Sequence, residues 1–300
     1  MKLAAHGQID RRITALATAS YPAYVVQGDT ASLMVDSGIN HLAPLYLSAL
    51  TEHFGDPRRL DYLFLTHSHY DHAGSAGYLK RHLPGLKIAA HERVVALAQK
   101  QSVVDTMNRL SSSHTELLRY NPSGEDVTLH PFVVDLPLKQ GDELDLGGLT
   151  CQVHEVPGHT RDSVALYVPE IGALFPGDAS GVLREDGEWL QVAFVASYDD
   201  YVESLHRLIA LRPALICLAH NWVLTGDDAT AHLQRSLELA VEYRKKIERH
   251  LDMAAGSVEV AAQTILVEER EADGGLFEPS AGYLTNLAAQ VRLIAGMRAG

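Results

Sequence analysis

Cysteine is almost absent from these 300 residues: there are two, Cys151 and Cys217. Each sits in an apolar or alternating run that reads as a strand, so each is expected as a small buried hydrophobe rather than half of a disulfide framework. Basic residues are also scarce, 25 against 38 acidic ones, leaving a formal charge of −13. That balance argues against a nucleic-acid or membrane-surface partner, since both are gripped by clustered Lys and Arg. A small anionic substrate stays compatible with it, because a metal can dominate its local field. No apolar run reaches the roughly eighteen residues of a membrane span. The first twenty residues carry Asp10, Arg11 and Arg12 and no continuous apolar core, so no export signal is read and the expected location is the cytoplasm. There is no GxSxG elbow and no GxxxxGK[ST] loop, which leaves serine-hydrolase and P-loop chemistry without a motif.

What is present is a dense cluster, His67-Ser68-His69-Tyr70-Asp71-His72. It follows the apolar run Tyr62-Leu63-Phe64-Leu65-Thr66 and precedes the small residues Ala73-Gly74-Ser75-Ala76-Gly77, the context of a strand ending in a loop that opens a helix. Divalent transition metals take neutral imidazole nitrogen and anionic oxygen, and alternate residues on an extended loop can converge on one ion. A polar loop that happens to carry histidines is the bland alternative, and interleaved spacings of this kind are uncommon by chance.

The rest of the chain reads as strands and helices in alternation, then as helices alone. Residues 23–26 and 32–36 form a hairpin pattern across Gly28-Asp29; 41–54 and 76–83 are helical; 86–90 is a strand before a helix from His91 onward. Residues 143–146 and 149–156 flank Gly147-Gly148 as another hairpin, and 163–168 pairs with 173–175. Val202, Leu205, Leu208 and Ile209 keep helical spacing until Pro213, and 214–219 is a short strand. From Thr225 onward the pattern is helical, with Leu233, Leu237, Ala240, Ile247 and Leu251 on one face and further helices within 258–269 and 281–297. The expected organisation is therefore a mixed α/β body over 1–224 and a helical cap over 225–300.

Three further metal-capable residues follow strand ends: His159 in Val156-Pro157-Gly158-His159, Asp178 in Phe175-Pro176-Gly177-Asp178, and His220 after Leu218-Ala219. Singly, a histidine after a strand is more often a surface residue and an aspartate after glycine a turn residue. Together with the cluster they describe one rim.

In these residues the chain resembles the metallo-β-lactamase-fold hydrolase superfamily. Its HxHxDH motif is matched by His67, His69, Asp71 and His72, its third-histidine loop by Gly158-His159, its bridging aspartate by Asp178 and its last histidine by His220; Asp36 matches a supporting aspartate at an early strand end. The resemblance implies a four-layer αββα sandwich, here with a C-terminal helical extension. It also implies two divalent ions, zinc or iron with manganese also accepted. His67, His69 and His159 would hold one, Asp71, His72 and His220 the other, with Asp178 bridging.

The implied reaction is hydrolysis by a metal-bridging hydroxide, with Asp71 as a proton carrier. Aspartate at 178 favours the glyoxalase-II-like branch. Leu65 to Gly74, Tyr78-Leu79, Asn108-Arg109-Leu110 and the helical cover look like the thioesterases of alkylquinolone signalling. The expected substrate is a small acyl thioester such as an acyl-CoA, or a related ester or lactone. A mono-iron persulfide dioxygenase, and a regulatory binding protein with a structural metal site, are the alternatives. Exposed faces on the terminal helices allow a homodimer.

Overall fold

The computed structural model describes residues 1–114, 124–273 and 281–299. Two seven-stranded sheets face each other. The first runs β2 (Gly7–Asp10), β3 (Ile13–Ala17), β4 (Pro22–Gln27), β5 (Ser32–Val35), β6 (Tyr62–Leu65), β7 (Lys87–His91), β8 (Leu136–Leu138) in spatial order. The second runs β1 (Lys2–Ala4), β16 (Trp222–Thr225), β15 (Leu215–Cys217), β12 (Ala173–Phe175), β11 (Val164–Val168), β10 (Thr150–Glu155), β9 (Glu143–Asp145). A two-stranded ribbon, β13 (Val182–Leu183) and β14 (Leu190–Gln191), stands apart from both.

The expected hairpins form: β4 pairs with β5, β9 with β10 and β11 with β12, all antiparallel. β5, β6, β7 and β8 are parallel, with Leu33 beside Tyr62 and Leu63 beside Ile88. Central parallel strands covered on both faces need apolar residues at every position, and Ser32–Val35 is buried throughout. β10 instead alternates, sending Cys151 and Val153 inward.

Those two side chains join Val26, Leu33, Phe64 and Phe175 in the core between the sheets. The outer face of the first sheet is covered by α1 (Ala43–Phe54), α3 (Ala76–His82), α4 (Glu92–Ala98) and α5 (Gln101–Ser111), through Tyr46, Leu79, Val94 and Val104. α6 (Tyr198–Ala210) and the start of α7 (Asp227–Met253) cover the second sheet with Leu208, Ala229 and Leu233. The result is the expected four-layer αββα sandwich.

Farther along α7, Ala240, Ile247 and Leu251 meet α8 (Val258–Ala272) and α9 (Ala281–Ala299) in a separate apolar cluster that also takes in Phe194 and Tyr201. Residues 274–280 and 300 of the expected cap lie outside the described residues. Among the described residues no helix is long and apolar enough to cross a membrane.

Two local features differ from expectation. The helix read from His91 onward is two, α4 and α5, broken where Lys100 adopts extended backbone. The metal-capable cluster is not one extended loop, because Tyr70–Ala73 forms a helical turn, α2.

Candidate metal centre

The seven candidate residues come together at the carboxyl ends of strands. His67 and His69 follow β6, with His69 still extended at φ −72°, ψ 154°, while Asp71 and His72 ride on α2. This change of backbone within six residues is what divides the cluster. Ring nitrogens of His67, His69 and His159 lie within 4.8 Å of one another; so do donor atoms of His67, His72 and Asp178, and of Asp71, His72 and His220. Asp178 stands between the sets. Its Oδ1 is 3.6 Å from Nε2 of both His72 and His220, and its Oδ2 is 3.5 Å from His159 Nε2. Asp71 Oδ2 is 3.9 Å from the same nitrogens of His72 and His220.

The glycines before His159 and Asp178 have a steric reason. Gly158 has φ 131°, and a Cβ there would lie 2.3 Å from Tyr201 Cα on α6. Gly177 has φ 56°, with a Cβ position 2.9 Å from Thr66 Cβ at the end of β6. Side chains would push His159 and Asp178 away from the cluster. The Asp178 loop is also held from behind: Ser236 on α7 donates to Ser180 O at 2.5 Å.

Imidazole orientation is fixed by the nitrogen that faces away. His159 Nδ1 lies 2.7 Å from Ala193 O and His220 Nδ1 2.7 Å from Ser20 O, so each must donate there and keep an Nε2 lone pair for the site. His72 Nδ1 is 2.9 Å from Asp36 Oδ2. Asp36 directly follows β5, at φ 58°, and accepts from Thr66 N at 2.8 Å and from the Thr66 hydroxyl, which ties two strand ends together.

Electrostatics sort the same groups. Burial, reinforced by His72, His69 and His159, holds His67 well below the ordinary imidazole value. Burial and His159 likewise bring His69 down to about 4. His72 goes the other way: burial opposes its charge, but Asp178, Asp71 and Asp36 outweigh it and raise the ring. Asp178 is held well below the carboxylate range by His72, His220 and His159 in spite of its burial. One end thus offers neutral nitrogen and the other calls for positive charge.

His67 Nε2, His72 Nε2 and Asp178 Oδ1 are buried with no hydrogen-bond partner among the described residues. Buried polar atoms are rarely left so. A converging set of neutral imidazoles and carboxylates with orphaned lone pairs fits divalent metal ions.

Other residues at the centre carried no readable signal in the sequence. Asp162 accepts from Ser68 N at 2.8 Å and so holds the loop between His67 and His69. Tyr21 and Tyr70 place their hydroxyls 3.2 and 3.0 Å from the two nitrogens of His114. They wall a cleft of about 250 Å3 that reaches His69, Asp71, Asp178 and His220 and is roofed by Thr285 and Asn286 of α9.

This sandwich and donor set define a metallohydrolase-type protein. The sequence profile of the Metallo-beta-lactamase superfamily matches residues 20–220, and the chain belongs to that superfamily. The metallo-beta-lactamase fold-containing protein ST1585 of Sulfurisphaera tokodaii is 27% identical over 252 residues, 82% of this chain and 88% of that protein. The acyl-coenzyme A thioesterase MBLAC2 of Homo sapiens is 28% identical over 233 residues, 74% of this chain and 78% of its own. A hydroxyacylglutathione hydrolase of Xanthomonas campestris is 28% identical over 231 residues, 73% and 71%. Among solved structures, the metallo-beta-lactamase family protein TTHA1429 from Thermus thermophilus superposes with a TM-score of 0.66 at 19% identity, covering 99% of this chain and 93% of that one. That is a likeness of fold, and it runs through the C-terminal helices.

Proposed function

We propose that the chain is a dinuclear metal-dependent hydrolase that cleaves an acyl thioester, such as an acyl-CoA. The observation that carries this is the Asp178 carboxylate, one oxygen toward His159 and the other toward His72 and His220, with Oδ1 unpartnered. His67, His69 and His159 would hold one ion and Asp71, His72 and His220 the other, with Asp178 between them; zinc and iron both suit this set. Such a pair, when bound, lowers the pKa of coordinated water toward neutrality and stabilises negative charge developing on an acyl oxygen.

The chain's own residues do the rest. Nδ1 contacts to Ala193 O, Ser20 O and Asp36 keep three imidazoles from swinging. Hydrolysis adds one water across the carbon–sulfur bond, hydroxyl to the acyl carbon and proton to sulfur. Asp71 lines the cleft and serves to carry that proton. A thiolate leaves with little acid assistance, so this role is smaller than it would be for an alcohol.

Two relatives support the substrate class: an acyl-coenzyme A thioesterase and a hydroxyacylglutathione hydrolase both act, by name, on an acyl group joined to sulfur. The charge of −13 disfavours a phosphodiester in nucleic acid. The proposed setting is cytoplasmic.

Metal analysis of the purified protein, with a panel of thioesters, lactones and phosphodiesters, tests the reading. Two ions per chain are expected, with thioester turnover that chelation abolishes and added metal restores. One iron per chain with oxygen uptake, or phosphodiester turnover in place of thioester turnover, overturns it.

A further inference from the structure

A second cavity of about 460 Å3 lies beside the metal cleft, within the roughly 300–1,000 Å3 of small-molecule sites. Gln191 and Tyr283 line both spaces, so the two share a wall at β14 and the start of α9. Its apolar walls are Trp189, Leu190 and Val192 around β14, and Leu239 and Tyr243 from α7. Arg235, Lys246 and Arg249 also border it, on the same side of α7 as Leu239 by their spacing.

Those cations are already answered. Arg235 lies 3.3 Å from both Glu238 and Glu242, and Lys246 lies 3.3 Å from both Glu268 and Glu269. Arg249 is 3.9 Å from Glu268. Glu242 and Glu269, with Glu188, border the cavity themselves, so the cavity offers no surplus positive charge to a phosphate or carboxylate. The Tyr283 hydroxyl donates to the buried Glu269, which fixes the shared wall.

We propose that this cavity receives the acyl chain of the substrate, an uncharged alkyl or aryl chain, while the scissile carbonyl and the sulfur remain in the metal cleft. The proposal rests on the thioesterase reading above and deepens it to a substrate class. Each methylene taken into an apolar cavity gains about 0.8 kcal/mol, about fourfold in kcat/KM, until the space is filled.

The test is a chain-length series from acetyl-CoA to octanoyl-CoA on the metal-loaded enzyme, with Leu239→Trp to fill the cavity and the milder Leu239→Phe in case tryptophan prevents folding. The wild type should prefer octanoyl over acetyl, and the ratio of their kcat/KM values should fall at least about tenfold in the variant. A ratio that stays unchanged, or equal losses for both substrates, overturns the acyl assignment.

Calorimetric titration with octanamide, uncharged and without a thioester, separates the two readings. Binding to the wild type that the variant loses, with no thioester turned over, sinks the hydrolase reading and keeps the cavity assignment. Equal binding to both proteins, or to neither, sinks the cavity assignment whatever the turnover.

Discussion

Asp178 and Glu269 are both buried carboxylates with side-chain nitrogens beside them, one among the strand ends of the sandwich and one among the C-terminal helices. Around Glu269 every need is met: the hydroxyls of Tyr243 and Tyr283 and the ammonium of Lys246 converge on it. Around Asp178 the imidazoles stand 3.5–3.6 Å away and Oδ1 has no partner. Burial raises the Glu269 carboxyl, whereas the imidazoles pull Asp178 down against its burial. A completed buried network holds helices together; an incomplete one, built here of imidazoles around a carboxylate, leaves acceptor atoms for something else to meet.

The largest effect that sharpens this contrast is expected from Asp178→Ala. Loss of the shared carboxylate should lower metal content below two ions per chain and cut kcat/KM on the order of a thousandfold, read by elemental analysis and steady-state kinetics. Retention of both ions and of turnover would break the comparison.

Glu269→Ala should act on the fold instead, taking from the Tyr243 and Tyr283 phenols a shared buried acceptor and leaving Lys246 with Glu268. A loss of about 3 kcal/mol in denaturant unfolding is expected, with metal content unchanged. The pH sign follows from the raised carboxyl. The native state holds this proton more tightly than the unfolded chain does, so stability falls as pH rises above 4.5 until Glu269 itself ionises. Glu269→Gln should flatten that part of the pH curve.

The smallest effect belongs to Asp36→Asn. An amide nitrogen facing His72 Nδ1 would force the ring proton onto Nε2, the atom that points at Asp178. Metal affinity of the Asp71, His72 and His220 set should drop about 10–100-fold, while the His67, His69 and His159 set keeps its ion. Equal weakening of both sets in competition with a chelator would count against two distinguishable half-sites.

How legible was this in the sequence? The turns that carry the candidate residues were, because four of those residues are packed into six positions, and His159 and Asp178 each follow a glycine that the packing requires, Gly158 and Gly177. The long strands and helices were legible too, through periodicity. The first two strands were not: Lys2–Ala4 and Gly7–Asp10 are three and four residues long with no fully buried position, so no apolar pattern marks them. The ribbon of Val182–Leu183 and Leu190–Gln191 is two residues a side, below any pattern. The cleft wall of Tyr21, Tyr70 and His114 comes from three separated segments that meet only in the folded chain. The second cavity is likewise a product of packing, since α7 alone reads as an ordinary charged helix.

One element belongs to both regions compared above. α7 extends roughly 40 Å over its 27 residues, with Leu233 on the sandwich and Leu251 among the C-terminal helices. Between them Ser236 grips Ser180, two residues beyond Asp178. The helix therefore ties the C-terminal cluster to the turn that carries Asp178. Any displacement of α7 would have to strain that grip or carry the Asp178 turn along, so the packing of the C-terminal helices bears on where that carboxylate stands.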